Sequence, residues 1–369
     1  MSRSRKVFYG IIMALLVFAG LEGGLRLAGF RYLRVTTDME FNYPRPGFIK
    51  AFFEIDPELL YRIRPTVKQR YVDLTWQPHF DLKIRDARTF GAKPTGTVRI
   101  IALGDSSTYG VNTPRPWPRR LQEILERKDG TGHFQVINLG VPGYTAFQGR
   151  RVLQTRGRRF DPDVVVIAFG WNDHLLALGH SDADQKVGGA TVVSLRNLLA
   201  HSRVYQGLSW LVAGLRSAAA TRAEPAGEGA RLVEPLRRVG ATAYGEELET
   251  LVRLTRELGA EPLLCTYPIA FQVLADEGLD PPEWVALTHT GPGDSLGDLI
   301  RLHDRYNDVV RATGRKLGVL VVDLDARFAT RDRHELFDAP GGDLIHPVDA
   351  GYDLMAASIY DALEVVSGR

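Results

Sequence analysis

Four short segments carry residue types that could do chemistry. Gly104-Asp105-Ser106-Ser107-Thr108-Tyr109-Gly110 offers a serine hydroxyl, and Asn138-Leu139-Gly140-Val141-Pro142-Gly143-Tyr144-Thr145 offers backbone donors in a glycine-rich loop. Gly170-Trp171-Asn172-Asp173 adds a side-chain amide, and Asp343-Leu344-Ile345-His346-Pro347 sets a carboxylate three residues before an imidazole. A serine hydroxyl is a weak nucleophile and needs a base within hydrogen-bond reach. His346 is the candidate base. Such a histidine needs one ring nitrogen fixed by an acceptor, which sets its tautomer and stabilises the imidazolium. Asp343 can wrap back to do this within one short loop. A tetrahedral intermediate also needs donors aimed at its oxyanion. The backbone N–H groups of Ser106 and Gly140 can supply two, and the Asn172 side chain a third. Glycine at 140 would let the backbone approach a substrate without a Cβ in the way. The set is a kit for acyl transfer: Ser106, Asp343 and His346 react, while Ser106, Gly140 and Asn172 hold the oxyanion.

The elements that must position these residues are visible from residue 98 onward. Apolar runs at 98–103, 134–139, 164–169, 262–266 and 319–324 are rich in valine, isoleucine and leucine. Helical stretches at 117–127, 146–156, 243–258, 296–317 and 351–366 alternate with them. Runs that are apolar on both faces suit a parallel sheet covered by helices on both sides. The pattern predicts a doubly wound α/β domain, whose ligands bind outside the carboxyl ends of the strands. The first three chemical segments each follow a strand end, so they are expected to converge on one rim.

These four blocks, in this order and spacing, resemble those of the SGNH/GDSL hydrolase superfamily, whose hallmark residues are Ser, Gly, Asn and His. Here they are Ser106, Gly140, Asn172 and His346, and the resemblance covers roughly 98–366. It implies a flavodoxin-like three-layer α/β/α fold with a five-stranded parallel sheet. It also implies esterase or lipase chemistry and no metal or organic cofactor. Ser107 stands where the name-giving motif has leucine and places a second hydroxyl beside the first. Ser106 follows Gly-Asp directly, as the family serine does; Ser107 is the alternative nucleophile. Asp323 and Asp325, which end the fifth run, are alternative partners for His346, although the Asp-Xaa-Xaa-His spacing favours Asp343.

Other residues allow more than one role. Tyr109, Tyr144 and Trp171 are candidate substrate-binding residues, as is Trp117, because they lie near the expected rim; packing is the competing role. His174 either edges the pocket or lies on the surface. Asp173 is expected to support the Asn172 loop. The remaining histidines show no metal-ligand spacing. Five arginines at 150, 151, 156, 158 and 159 read first as a solvated helix face and second as a contact for an anionic membrane. Cys265 lies in the fourth run and reads as core packing.

Composition narrows the remaining classes. In 369 residues, Lys+Arg is 46 and Asp+Glu 44, a net charge of +2, which makes no whole-chain case for nucleic-acid binding. A single cysteine rules out an intramolecular disulfide framework and a cysteine-based metal cluster. At the N-terminus, Arg3, Arg5 and Lys6 precede an apolar run from Val7 to Leu21. That run alone would span about 22 Å as a helix, short of the hydrocarbon core, but continuing to Phe30 makes it long enough. Glu22 and Arg26 then fall inside it, at the i, i+4 spacing of a helical ion pair. The basic start predicts a single-pass anchor with the remaining chain on the periplasmic or extracellular side. A signal peptide cut after Val17-Phe18-Ala19 and a buried core helix are the alternatives.

The expected organisation is therefore an anchor over 1–30, a linker and N-terminal extension over 31–97, and a hydrolase domain over 98–369. Short alternations at 71–76 and 80–84 suggest edge strands in the extension. An insertion around 175–240, with a low-complexity stretch at 217–229, reads as a substrate-selecting lid or as a flexible surface loop. The expected substrate is a small-molecule, lipid or glycan ester. Two other functions remain open. One is an O-acyltransferase or deacetylase of envelope polysaccharide, which would share the acyl-enzyme. The other is an inactive binding or scaffold protein, whose mark would be a lost triad member.

Overall fold

The computed structural model describes residues 2–30, 52–69, 72–177, 180–220, 235–280, 295–338 and 342–366. The chain opens with helix α1 (Arg3–Leu27). None of its residues is buried, and its mean hydropathy reaches 1.9 over the most apolar window, so it is a candidate membrane span. Its 25 residues extend about 37 Å. Arg26 Nε donates to Glu22 Oε1 at 2.8 Å, the pair expected from their spacing.

Residues 52–97 form two small antiparallel hairpins, β1 (Phe53–Asp56) with β2 (Leu60–Ile63) and β3 (Thr75–Gln77) with β4 (Leu82–Ile84). Within the two alternating stretches only 75–76 and 82–84 are strand, Tyr71 lies outside the described residues, and the strands pair with each other and not with an edge of the main sheet. Phe52, Phe53, Tyr61, Phe80 and Ile84 are buried in the same apolar cluster as Ile101 and Ile167 of the central sheet. Arginines of the 150–159 group hold this cover down. Arg156 is buried and pairs with Glu58 at 2.9 Å, and Arg151 donates to the Glu58 carbonyl at 2.7 Å, whereas Arg150 pairs with Glu247 outside the cover. Only Arg158 and Arg159 match the solvated helix face.

The central sheet is five parallel strands in the order β6-β5-β7-β8-β9, with β5 (Val98–Gly104) flanked by β6 (Phe134–Asn138) and β7 (Val164–Ala168). β8 (Glu261–Cys265) and β9 (Val321–Val322) complete it. Alternate residues feed two separate cores. Ile101, Leu103, Ile137, Val165, Ile167 and Leu264 face one side. Ile100, Ala102, Val136, Val166, Leu263 and Cys265 face the other. Each fully buried aliphatic side chain contributes about 1.5–3 kcal/mol.

Helices cover both faces, which gives the flavodoxin-like three-layer α/β/α arrangement. A four-residue turn of helix, α2 (Ser106–Tyr109), follows β5, and α3 (Trp117–Asp129) then packs on the second core. On the first core lie α4 (Ala146–Phe160) and, beyond α5 (Ala190–Leu199) and α6 (Arg203–Ala220), α7 (Ala241–Glu257). After β8 come α8 (Phe271–Asp276) and α9 (Leu296–Leu317), and β9 leads into α10 (Leu324–Ala329) and α11 (Arg333–Leu336). A separate ribbon of β10 (Phe337–Asp338) and β11 (Asp343–Pro347) precedes α12 (Asp349–Val366), which packs beside α3.

The stretch between β7 and α7 leaves and returns at the same place. Leu176 and Arg237 bridge, Ala177 N–H donates to the Leu236 carbonyl, and Arg238 N–H donates to the Leu175 carbonyl. Asp182 and Arg238 form a buried ion pair at 2.8 Å that also grips Thr145 and the Gly143 carbonyl. The insertion is thereby fixed to the rim of the sheet. Most of the low-complexity stretch at 217–229 lies outside the described residues.

Candidate active site

Strands β5, β6 and β7 end side by side and parallel, so the loops carrying Ser106, Gly140 and Asn172 start from one rim. The Asp105 carboxylate accepts from Ser107 N–H at 2.9 Å and caps α2, which sets Ser106 at the first helical position. β11 delivers His346 to the same point. Its Nε2 lies 2.8 Å from Ser106 Oγ. Its Nδ1 lies 2.9 Å from Asp343 Oδ2 and 3.1 Å from Oδ1, and its backbone N–H donates to Asp343 Oδ1 at 3.0 Å. Nδ1–H therefore donates to Asp343, which leaves Nε2 as the acceptor for the serine hydroxyl. Burial alone would raise the Asp343 carboxyl. The hydrogen bond and charge of the His346 ring, the His346 N–H and the Asn112 amide bring it down to about 2 instead.

The other side of the site is arranged differently. Gly140 N–H donates to Asn138 Oδ1 at 2.9 Å, and Asn138 Nδ2 donates to the Thr108 carbonyl at 2.9 Å. Asn172 Nδ2 donates to Asp105 Oδ2 at 2.9 Å and to the Tyr144 carbonyl at 3.1 Å. Glycine at 140 also has a reason inside the fold. A Cβ there would sit 2.2 Å from Tyr109 N, so the close approach it permits is to α2. Asp173 is fully buried and accepts from Ala146 N–H at 2.8 Å, which ties the Asn172 loop to the start of α4.

Three groups that sequence reading passed over complete the network. Tyr267, just beyond β8, places its hydroxyl 2.6 Å from Ser107 Oγ and 3.3 Å from Asp105 Oδ1. Ser107 Oγ also donates to the Ile345 carbonyl at 3.3 Å, so the second serine braces the histidine strand and does not face His346 Nε2. Asn112 and Asn138 are the other two. Burial pushes Asp105 up to about 6, against the lowering by Ser107 N–H, by His346 and by the Tyr267 hydroxyl. A signal existed only for Asn138, which lies inside a quoted block.

The four residues expected to touch substrate are interior. Tyr109 donates to Gln69 and Tyr144 donates to the Tyr61 carbonyl, both buried under the hairpins. Trp171 stacks on Phe271, and His174 lies 3.0 Å from His303 Nδ1 in a buried aromatic cluster. Trp117 is likewise in the core, with its indole N–H toward Thr108. The physical reason is the cover formed by residues 52–90 together with α8 and α9, which supply apolar surface where an open rim was expected. Asp323 and Asp325 are committed to Arg311, at 2.8 and 3.0 Å, and not to His346. Cys265 is buried in β8, where burial raises its thiol pKa. Among the described residues no group of three or more His, Cys, Asp or Glu side chains could hold a metal ion.

A parallel five-stranded α/β domain with a serine, a histidine and an aspartate linked at its rim defines the class. The family is equally definite. The model of the GDSL-like lipase/acylhydrolase family matches residues 102–354, so the chain belongs to that family and is an ester hydrolase. Similar solved structures include the lipase/acylhydrolase from Enterococcus faecalis, at 19% identity and a TM-score of 0.44, covering 73% of this chain and 96% of that one. The acetyl xylan esterase AlAXEase is 15% identical with a TM-score of 0.42, covering 72% of this chain and 100% of its own. A catalytic mutant of an acetylxylan esterase from Geobacillus stearothermophilus is 17% identical with a TM-score of 0.42, covering 73% of this chain and 95% of its own. Comparison with curated protein sequences gives no match.

Proposed function

We propose that the chain is a membrane-anchored serine esterase that works through an acyl-enzyme, with Ser106 as nucleophile, His346 as base and Asp343 as its orienting partner. The observation that carries this is the unbroken hydrogen-bonded line from Ser106 Oγ through His346 to Asp343, at 2.8 and 2.9 Å. Ser106 Oγ attacks the ester carbonyl carbon as its proton passes to His346 Nε2, and the C=O π electrons move onto the oxygen. Asp343 stabilises the imidazolium without taking its proton. The N–H groups of Ser106 and Gly140 and the Asn172 amide receive the oxyanion. For the last two this means exchanging the Asn138, Asp105 or Tyr144 acceptor for the developing charge. Collapse breaks the C–O bond, and His346 Nε2 hands its proton to the leaving alcohol. Water then repeats the sequence on the acyl-enzyme, releasing the acid and restoring Ser106.

The length of the apolar helix supports the anchored form: α1 runs unbroken past Ala19 to Leu27, long enough to cross a bilayer. Glu22 Oε2 accepts from Ser202 Oγ at 2.9 Å and from Val204 N–H at 3.0 Å, and Arg26 donates to the His201 carbonyl at 3.1 Å. These contacts lie beyond Ala19 and join the end of the helix to the insertion in either form. Arg3, Arg5 and Lys6 at that start favour an inward N-terminus and an outward catalytic domain.

The test compares two neighbouring serines. Ser106→Ala is expected to abolish labelling by a fluorophosphonate and to lower turnover of a short acyl ester by about 10^4-fold or more. Ser107→Ala should keep the labelling and lose activity by tenfold at most. Labelling that survives Ser106→Ala and disappears in Ser107→Ala would reverse the assignment.

A further inference from the structure

Helices α5 and α6 of the insertion leave large apolar side chains in solvent. On α6, Leu208, Leu211, Val212 and Leu215 follow the i, i+3, i+4, i+7 spacing of one helix face, and each is at least 44% exposed. Trp210 is also exposed. On α5, Val192, Leu195 and Leu198 are exposed, while Val193 packs inward and Asn197 Nδ2 donates to the Ile55 carbonyl of the cover. A single exposed leucine needs no explanation, but two adjacent helices with such surfaces do.

The place of α6 says what covers it. Its first turn receives the Glu22 carboxylate of α1, through Val204 N–H and the Ser202 hydroxyl. A Cβ built at Gly207 would lie 3.9 Å from the Phe30 ring and 4.0 Å from Leu25 Cδ1, so α6 runs against the emerging end of α1. Its apolar stripe therefore adjoins a helix with no buried residue, whose Leu15, Leu16, Val17 and Leu21 are all exposed. Polar groups mark the junction: Glu22, Arg26 and Arg203 lie where apolar stem and headgroup region would meet.

We infer that α5 and α6 dock on the outer leaflet beside α1, with the α6 stripe in the acyl–headgroup boundary, and that the occupant of this surface is the lipid bilayer. An amphipathic helix of this kind lies in the membrane plane and adds to the hold of a neighbouring span. Because the insertion is pinned to the sheet rim by Asp182 and Arg238, the docked helices hold the catalytic domain to the membrane as a second attachment. The inference rests on the reading that α1 spans the membrane.

The experiment uses the full chain in vesicles of phosphatidylcholine and phosphatidylglycerol. Single cysteines are introduced as Leu211→Cys, Leu215→Cys, Leu15→Cys in α1 and Arg253→Cys on the exposed face of α7, and each is labelled with an environment-sensitive fluorophore. The native Cys265 is buried, and retained ester turnover shows that each labelled variant is folded. Labels at 15, 211 and 215 are expected to shift to the blue and to lose intensity to a lipid-borne nitroxide, while the label at 253 does neither. Labels at 211 and 215 that behave like 253, while 15 is quenched, overturn the docking and leave the span standing. A label at 15 that escapes the nitroxide removes the span and the docking together. Labels at 211 and 215 shielded from aqueous quencher but untouched by the lipid nitroxide make a second copy the occupant, and the inference fails.

Discussion

The two sides of the active site are in different states of readiness. On the base side, Ser106, His346 and Asp343 point at one another in the order that proton transfer needs, and Asn112 steadies the carboxylate. On the proposed oxyanion side, two of the three donors are already spent on the protein itself: Gly140 N–H on Asn138, and the Asn172 amide on Asp105 and the Tyr144 carbonyl. A buried amide left without an acceptor costs about 1–3 kcal/mol, so these internal acceptors stabilise the fold around the site. Under the proposed mechanism, proton transfer is preorganised, whereas Gly140 and Asn172 must exchange partners to receive the oxyanion. Removing a base-side group should therefore cost more than removing an oxyanion-side group.

Among variants that separate the two sides, the largest effect is expected for Asp343→Asn. An amide can accept or donate, so it no longer dictates the tautomer that leaves His346 Nε2 free for the serine proton. Turnover of a short ester should fall by about 10^4-fold with little change in KM, as for loss of the orienting carboxylate in serine hydrolases generally. The same variant has a stability signature. The folded carboxyl is depressed to about 2 from an ordinary value near 3.8, so its contribution is present above the higher value and lost as pH falls towards the lower one. That contribution is about 2 kcal/mol. Unfolding free energies of the two proteins should differ at pH 7 and converge towards pH 2. A gap that is the same at both pH values would remove the charge argument for the base side.

Asn172→Ala comes next, with an expected loss of about 10²–10³-fold in kcat, the range for one oxyanion donor. The alanine also leaves Asp105 Oδ2 and the Tyr144 carbonyl short of a donor, so a lower melting temperature should accompany it. The kinetic reading is made well below that temperature. A loss under threefold would mean that the Asn172 amide keeps both Asp105 and the Tyr144 carbonyl throughout the reaction, and the contrast between the two sides would become absolute.

How much of this was legible in the sequence follows from where each restraint comes from. Helix α9 is readable to the residue because its signals are local: Ser295 and Asp298 form a capping box, and Gly318 closes it with a left-handed turn. The fifth strand is shorter than its apolar run because it is an edge strand: Val321 and Val322 pair with β8, and Asp323 then caps α10. Ser106, Gly140, Asn172 and His346 could be found because each lies in a recognisable block. Tyr267 and Asn112 could not, since their partners lie 160 and 231 residues away and only the strand order brings them together. The buried state of Tyr109 and Tyr144 was hidden for the same reason. It depends on the packing of two hairpins of three- and four-residue strands, which no sequence period specifies.

The smallest effect probes the link between the two sides. Tyr267 reaches both Ser107 and Asp105, and Asp105 is the acceptor of the Asn172 amide. Asp105 is raised by burial to about 6 while its hydrogen bond from Tyr267 pulls it down. Its folded value lies above 3.8, so the stability its protonated form confers is present below that value and is lost as pH rises through about 6. In activity the sign is opposite, because the ionised carboxylate holds one N–H of the Asn172 amide and so orients the other, now on the Tyr144 carbonyl, to turn to the oxyanion. Tyr267→Phe removes one donor to Asp105, so its pKa should rise and the acid limb of kcat/KM should move to higher pH. At pH 8, where Asp105 remains ionised, the loss should be about tenfold or less, the lower end of the worth of one hydrogen bond to a charged group. Ser107→Ala retains the Tyr267 hydroxyl beside Asp105 and should displace the limb less. A limb that stays in place in Tyr267→Phe would show that the oxyanion side is set by Asn172 and its loop alone, with no support from the far edge of the sheet.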